Sequence, residues 1–69
     1  MSVVKIIEIL CEGNSIEDAL NEGLKEAAKT VHNIKQIDVK WIHAHVEKDK
    51  ITKYRVSAKV SFVVEHHQK

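Results

Sequence analysis

Residues 54–64 read Tyr-Arg-Val-Ser-Ala-Lys-Val-Ser-Phe-Val-Val, an alternation of apolar and polar residues over a full strand length. One face would carry the apolar set: Tyr54, Val56, Ala58, Val60, Phe62 and Val64. The other face would carry the polar set: Arg55, Ser57, Lys59 and Ser61. Because successive side chains of a strand point to opposite faces, the stretch predicts a long, half-buried β-strand. It is roughly twice the usual strand length of about 5–6 residues.

The length of the chain limits how such a strand can be covered. The 69 residues predict a single domain over residues 1–69. A domain of this size buries only about 60% of the surface that its unfolded chain exposes, and it needs further stabilisation. Cys11 is the only cysteine, so no intrachain disulfide and no cysteine-based zinc site can form. The remaining source of burial is association with partner chains, and we expect an assembly.

Charge and composition argue against several classes of function. The formal net charge is +1, basic residues form no block, and the chain holds three aromatic residues. Binding along a nucleic-acid backbone, or stacking on its bases, is therefore not expected. The segment 1–10 carries Lys5 and Glu8 and has the pattern of neither a signal peptide nor a membrane span. We expect a soluble, cytoplasmic protein that does not act on membranes.

The first half of the chain predicts a strand followed by a helix. Residues 3–10 are apolar on both faces, which is typical of a strand that is covered on both sides. Ser15 is a favourable helix N-cap, and an apolar stripe then continues at helical spacing as far as Val31. Gly23 lies within that stripe and indicates close approach to a sheet. Asn33 is the predicted left-handed C-cap of the helix.

The second half predicts two further strands joined by a hairpin turn. The alternation in residues 34–47 changes phase midway, which indicates a β-bulge near Lys40-Trp41. Residues 48–50 are the expected turn, and residues 51–64 form the last strand. The predicted fold is therefore α+β with the order β-α-β-β. In it a three-stranded antiparallel sheet wraps around one helix.

Several motifs along this order match those of one known family. They are Val4-Lys-Ile-Ile-Glu-Ile9, Ser15-Ile-Glu-Asp-Ala19, Ala27-Ala28-Lys29-Thr30-Val31, Ile37-Asp-Val39 and Tyr54-Arg-Val56 with Val60-Ser-Phe62. In this order the chain resembles the dodecins, small flavin-binding proteins that assemble as hollow spheres of about twelve copies. The resemblance implies a dodecin-like fold, a homododecamer, and a small ligand bound at the interfaces between subunits.

The resemblance also identifies two ligand positions, and both are substituted here. Flavin-binding dodecins stack a tryptophan of the second strand on the isoalloxazine ring, and a glutamine of the third strand bonds to the polar edge of that ring. Gln36 stands at the first position and Arg55 at the second. The resemblance therefore implies a flavin such as FMN, FAD or riboflavin, but with weakened binding. Arg55 also matches flavin-independent, calcium-associated members of the family.

Each of the candidate residues also has an explanation that involves no ligand. Arg55 is as well explained by an ion pair with a carboxylate of a neighbouring subunit, and Gln36 by a surface position. Trp41 could replace the missing stacking residue. Before the bulge, however, residues 36 and 41 would point to opposite faces of the strand, because one number is even and the other odd. We therefore expect Trp41 in the core or in a subunit interface. His43 and His45 share a strand face and are weak candidates for a metal site, with the third ligand unidentified.

Two functions follow, and neither is enzymatic. The chain has no nucleophile motif, no glycine-rich phosphate loop and no His-Glu-x-x-His pattern. The first function is a dodecameric cage that binds or stores a flavin-type or phosphorylated cofactor at subunit interfaces. The alternative is a flavin-independent shell that binds cations such as calcium, or that serves as a structural scaffold.

Overall fold

A computed structural model of the chain describes residues 2–65, and the side chains of residues 3–64. Its elements follow the order β-α-β-β, which confirms the predicted α+β fold. They are β1 (Ser2–Gly13), α1 (Ile16–Ala27), β2 (Ile34–Glu47) and β3 (Lys50–Glu65). The three strands form one antiparallel sheet with β3 in the centre, in the order β1-β3-β2.

Helix α1 begins as predicted and ends earlier. The Ser15 hydroxyl accepts a hydrogen bond from the Asp18 amide at 3.0 Å, the geometry of an N-cap. The helix ends at Ala27, so the prediction that it runs to Val31 was wrong. The amides of Lys29 and Thr30 bond three residues back instead of four, which tightens the final turn.

The structural role of Asn33 differs from the predicted one. It does adopt the left-handed backbone conformation, with φ at 63°. It lies well beyond the end of α1, however, and its carbonyl accepts a hydrogen bond from the Val63 amide at 3.1 Å. Asn33 therefore turns the chain into the sheet where β2 begins, and it does not cap the helix.

The predicted bulge is present, together with two others. The register between β2 and β3 shifts between Val39 and Trp41, which leaves Lys40 as the extra residue. A second shift, between Ile34 and Gln36, leaves Lys35 without a partner on β3. A third, between His45 and Val46, leaves Thr52 of β3 as the extra residue. There the Thr52 hydroxyl donates to the His45 carbonyl at 3.2 Å. Each bulge reverses the faces of the side chains that follow it.

The hairpin between β2 and β3 is closed by a two-residue turn. Lys48 and Asp49 both have positive φ, at 51° and 64°. Two successive positive φ values are the pattern of a type I′ turn, whose twist matches that of the flanking strands. Aspartate tolerates this conformation better than most residues do. The turn is thus one residue shorter than the predicted 48–50, and β3 begins at Lys50.

The core lies between α1 and one face of the sheet. The buried cluster joins Cys11 of β1, Ala19 of α1 and Val56 of β3, with Ile9 and Leu20 packed against it. Six residues in the described part of the chain are buried: Cys11, Ala19, Ala27, Val56, Ala58 and Val60. All are small or medium-sized, so the core that a single chain forms is thin.

The helix is much shorter than the sheet that it covers. Its 12 residues span about 18 Å. The 16 residues of β3 span about 50 Å. The chain is accordingly elongated, 61 × 19 × 13 Å, with a radius of gyration of 14.9 Å. A compact chain of this length would have a radius of gyration of about 11 Å. No helix in residues 2–65 is long and apolar enough to cross a membrane.

Gly23 provides a test of the contact between helix and sheet. A Cβ at this position would overlap Cys11 Sγ and would lie 2.9 Å from Ile9 Cδ1. In an isolated helix, alanine is about 1 kcal/mol more favourable than glycine. Here the clash outweighs that gain, and we expect Gly23→Ala to lower the free energy of unfolding by about 1–3 kcal/mol.

Urea unfolding measures the effect, with Asn21→Ala on the exposed side of α1 as the matched control. The control should not lower stability. In a Cys11→Ala background the loss from Gly23→Ala should shrink, because the nearest clashing atom is gone. An alanine at position 23 that stabilises the unaltered protein would contradict this packing.

Candidate functional site

The sheet has a second face, which α1 does not touch, and we call it the helix-free face. The cross-strand register places on it the residues that alternate with the buried ones. From β3 it carries Arg55, Ser57, Lys59 and Ser61; from β1, Val4, Ile6, Glu8, Leu10 and Glu12; from β2, Gln36, Asp38, Trp41, His43 and His45. Every candidate ligand residue predicted from the sequence therefore lies on one surface.

That surface is apolar along β1. Val4, Ile6 and Leu10 are 61%, 57% and 60% exposed, although the sequence predicted a strand covered on both sides. Nothing within residues 2–65 covers them, because α1 packs on the opposite face. Three large apolar side chains exposed to water on one strand are typical of a surface that contacts another molecule.

Arg55 is held by a carboxylate of its own chain. Its Nη2 and Nε atoms lie 2.6 and 2.8 Å from Oε2 of Glu12, which is the cross-strand partner of Arg55 on β1. Lys53 Nζ approaches the other carboxylate oxygen of Glu12 at 3.5 Å. The partner expected from the sequence was a carboxylate of a neighbouring subunit; within the described chain, Glu12 takes that role.

The two cations change the acidity of Glu12. The hydrogen bond from Arg55, and then the positive charge of Lys53, hold the pKa of the Glu12 carboxyl below its usual value of 4.5. Glu12 is therefore ionised at neutral pH, and it neutralises one of the two positive charges. No signal in the sequence marks Glu12, because its importance depends on the strand register that brings residues 12 and 55 together.

A hollow lies beside this ion pair. It measures about 200 Å³ and is lined by His43, Ala44, His45, Lys53 and Arg55. His43 pairs with Arg55, and His45 with Lys53, across the β2–β3 ladder. The sheet thus places two imidazoles opposite two permanent cations. His45 Nε2 also lies 3.6 Å from a carboxylate oxygen of Glu47, at the rim of this group.

Trp41 is not in the core. The bulge at Lys40 brings it opposite Ser57 on the helix-free face, the same face as Gln36, so the expected difference in parity does not hold. Its side chain is 41% exposed. The indole ring stacks on the imidazole of His43, with ring centroids 4.1 Å apart and 27° between the planes. The pair forms a flat aromatic surface next to the hollow.

Gln36 lies far from Arg55 within one chain. It pairs with Ser61, six residues along β3 from Arg55, which corresponds to about 20 Å. Its amide nitrogen donates to both carboxylate oxygens of Asp38 at 3.0 Å. A small hollow of about 220 Å³ beside it is lined by Leu24, Ile34, Lys35, Gln36 and Ile37. One chain therefore does not bring the two predicted ligand residues, Gln36 and Arg55, to a single flavin ring.

A metal site at His43 and His45 remains a prediction. In residues 2–65 no group of three histidine, cysteine, aspartate or glutamate side chains is placed to hold a metal ion. Moreover, Lys53 and Arg55 line the same hollow as both imidazoles, and their positive charges oppose the entry of a cation.

A second groove lies between β1 and α1. It measures about 430 Å³, and its walls are mainly apolar with carboxylates at the rim. It is lined by Ile7, Ile9, Leu10, Cys11, Glu12, Glu22, Gly23, Glu26 and Ala27. It borders the outer edge of β1, whose backbone groups have no strand partner on that side in the described chain. Both this edge and the helix-free face are open to further contacts.

Comparison with known proteins gives one consistent result. Residues 3–65 match the family model Dodecin. The tt0972 protein from Thermus thermophilus superposes with a TM-score of 0.89 at 25% identity, over 97% of this chain and 100% of its own. The dodecin from Streptomyces davaonensis superposes with a TM-score of 0.86 at 20% identity, over 94% and 97% of the two chains. No protein of curated function matches the sequence.

The ion pair between Glu12 and Arg55 predicts a loss of stability in acid. Because folding lowers the pKa of Glu12, the pair stabilises the fold above the usual value of 4.5. That contribution disappears as the pH falls through the lowered pKa. We expect urea midpoints of the unaltered protein to fall more steeply below pH 4.5 than those of Glu12→Gln.

Glu8→Gln serves as the control, since Glu8 lies on the same strand and face and its ion pair, with Lys40, is longer, at 3.4 Å. It should keep the acid dependence of the unaltered protein. Identical acid profiles for Glu12→Gln and the unaltered protein would show that the pair does not stabilise the fold.

Proposed function

Because the chain belongs to the dodecin family, we propose that it is a non-enzymatic protein whose copies form a closed shell of about twelve subunits. The shell holds a small ligand, either a flavin or a phosphorylated cofactor, at the interfaces between subunits. Gln36 and Arg55 stand at the ligand positions of the family. The observation that carries the proposal is the helix-free face, which bears both positions beside uncovered apolar residues.

The spacing of the two positions supports a shared site. Gln36 and Arg55 are separated by about 20 Å along β3, more than the length of a flavin ring system. A ring held by both positions must take Gln36 from one copy and Arg55 from another. Covering Val4, Ile6 and Leu10 with a second copy would bring such surfaces together and remove apolar area from water.

The substitutions set the preferred ligand chemistry. Gln36 offers no aromatic face, and the loss of ring stacking costs about 1–3 kcal/mol, or roughly tenfold to a hundredfold in affinity. Arg55 brings a permanent positive charge and a planar set of donors. Charge-assisted hydrogen bonds are roughly twice as strong as neutral ones. FMN or another phosphorylated ligand should therefore bind more tightly than riboflavin.

The alternative is a shell without flavin, which binds cations such as calcium or acts as a scaffold. The positive charges of Lys53 and Arg55 argue against a cation in the hollow that they line. Adding riboflavin and FMN to the purified protein separates the two functions. Quenched flavin fluorescence supports the ligand-binding shell, and unchanged fluorescence with both flavins supports the alternative.

The first prediction from this proposal concerns the particle size. Sedimentation velocity at micromolar concentration should show one compact species of about twelve subunits, because an isolated chain leaves its apolar face in water. Leu10→Glu should reduce the particle to smaller species, since it places a charge on that face. Thr52→Glu, at an exposed position near the hairpin, is the control and should leave the particle intact. A well-folded monomer or simple dimer would contradict the shell.

A second prediction concerns flavin affinity. The double substitution Gln36→Trp with Arg55→Gln supplies both the stacking ring and the neutral amide of the family pattern. We expect it to bind riboflavin at least about tenfold more tightly than the unaltered protein, from the ring stacking alone. Fluorescence titration measures the change.

The control replaces Gln36 by leucine together with Arg55→Gln, which changes both positions without adding an aromatic ring. It should not gain affinity. If the tryptophan variant also fails to gain affinity, then these positions do not form the flavin site.

A further inference from the structure

We propose that the hollow lined by His43, His45, Lys53 and Arg55 binds the phosphate group of the ligand, and that the Trp41–His43 ring pair stacks on its planar part. The ligand class is thus a phosphorylated aromatic compound, such as a nucleotide. The inference deepens the proposed function and rests on it, because it shares Arg55 with the proposed interface site.

The Glu12 carboxylate shows how an oxyanion is held at the edge of this hollow. One of its oxygens accepts a hydrogen bond from Arg55 Nε at 2.8 Å and lies 2.6 Å from Arg55 Nη2. The other oxygen lies 3.5 Å from Lys53 Nζ. A phosphate oxygen can take the same donors, since guanidinium groups bind carboxylate and phosphate in similar geometry. Glu12 therefore acts as an internal competitor for the cations that an external anion would use.

The side chains that line the hollow are positive, and two carboxylates beside it balance that charge. Lys53 and Arg55 from β3 contribute two positive charges, and Glu12 from β1 removes one. On β2, Glu47 lies at the rim, 3.6 Å from His45, and contributes the other negative charge. The four polar side chains that line the hollow itself are two cations and two imidazoles, with no carboxylate among them. Phosphate, with three acceptor oxygens, suits this lining, because cations and imidazoles can all donate to it.

The aromatic surface lies where a ring attached to that phosphate would reach. Trp41 pairs with Ser57 and Arg55 with His43, so Trp41 is the diagonal neighbour of Arg55, at about 7–8 Å between Cα atoms. The indole is exposed and stacks on the imidazole of His43. A base or flavin ring stacking on an aromatic side chain gains about 1–3 kcal/mol. Trp41 thus supplies a stacking surface that Gln36 lacks.

The experiment uses pyrophosphate and ADP as probes of the assembled protein at low salt, by calorimetry and by the fluorescence of Trp41, the only tryptophan. Lys53→Gln should weaken pyrophosphate binding about tenfold, because it removes one charge-assisted contact. Lys59→Gln, on the same face and strand but outside the hollow, is the matched control and should change affinity less than about twofold.

Glu12→Gln gives the sharper result, because it should strengthen pyrophosphate binding severalfold by releasing Arg55 and Lys53. A misfolded variant would lose affinity and could not gain it. Glu8→Gln, the matched control four residues away on the same face of β1, should leave affinity unchanged. Trp41→Leu should weaken ADP about tenfold and leave pyrophosphate unaffected, since only ADP carries a ring.

The outcomes separate this inference from the proposed function. A shell that binds FMN but not pyrophosphate or ADP overturns the phosphate site alone. Equal effects of Lys53→Gln and Lys59→Gln, or weaker binding by Glu12→Gln, overturn it as well. Failure of the protein to assemble at all, measured by sedimentation of the same samples, overturns the proposed shell instead.

Discussion

The mismatch in length between the single helix and the central strand governs this molecule. Helix α1 covers about 18 Å of a sheet whose middle strand runs for about 50 Å. Only the part of the sheet under the helix acquires a core, around Cys11, Ala19 and Val56. The rest of the sheet has its apolar residues in water. In the proposed shell, other copies supply the missing cover, and assembly then becomes a condition of folding.

The same constraint explains where the candidate ligand residues lie. Side chains directly beneath α1 are committed to packing, whereas the helix-free face can carry charge and rings together with apolar residues. There the strand register joins Glu12, Arg55 and His43 in one row across all three strands. Glu12 of β1 and Arg55 of β3 are the charged members of this row, and His43 of β2 is the third. The Trp41 ring lies beside the row. A site on a rigid sheet of this kind is positioned by backbone hydrogen bonds instead of by loops.

The sequence predicted the fold well, because alternation and capping are local signals. The long strand β3, the Ser15 cap and the bulge at Lys40 could all be found from neighbouring residues. The helix end was predicted wrongly: Val31 continues the apolar stripe, yet the chain leaves the helix after Ala27 to reach β2. The pairing of Glu12 with Arg55 was not foreseen, since it depends on a register between residues 43 positions apart. Trp41 was expected on the face opposite to Gln36, but the bulge at Lys40 places both side chains on the same face.

The central claim is that folding and association are coupled, and the concentration dependence of thermal unfolding tests it most directly. A protein stabilised by its own copies unfolds at a temperature that rises with concentration, by mass action. Between about 1 and 100 µM of chain, the account predicts that the midpoint of the far-ultraviolet circular dichroism transition rises by several degrees. A midpoint that stays constant over this range, with the same reversible transition at each concentration, would contradict the account.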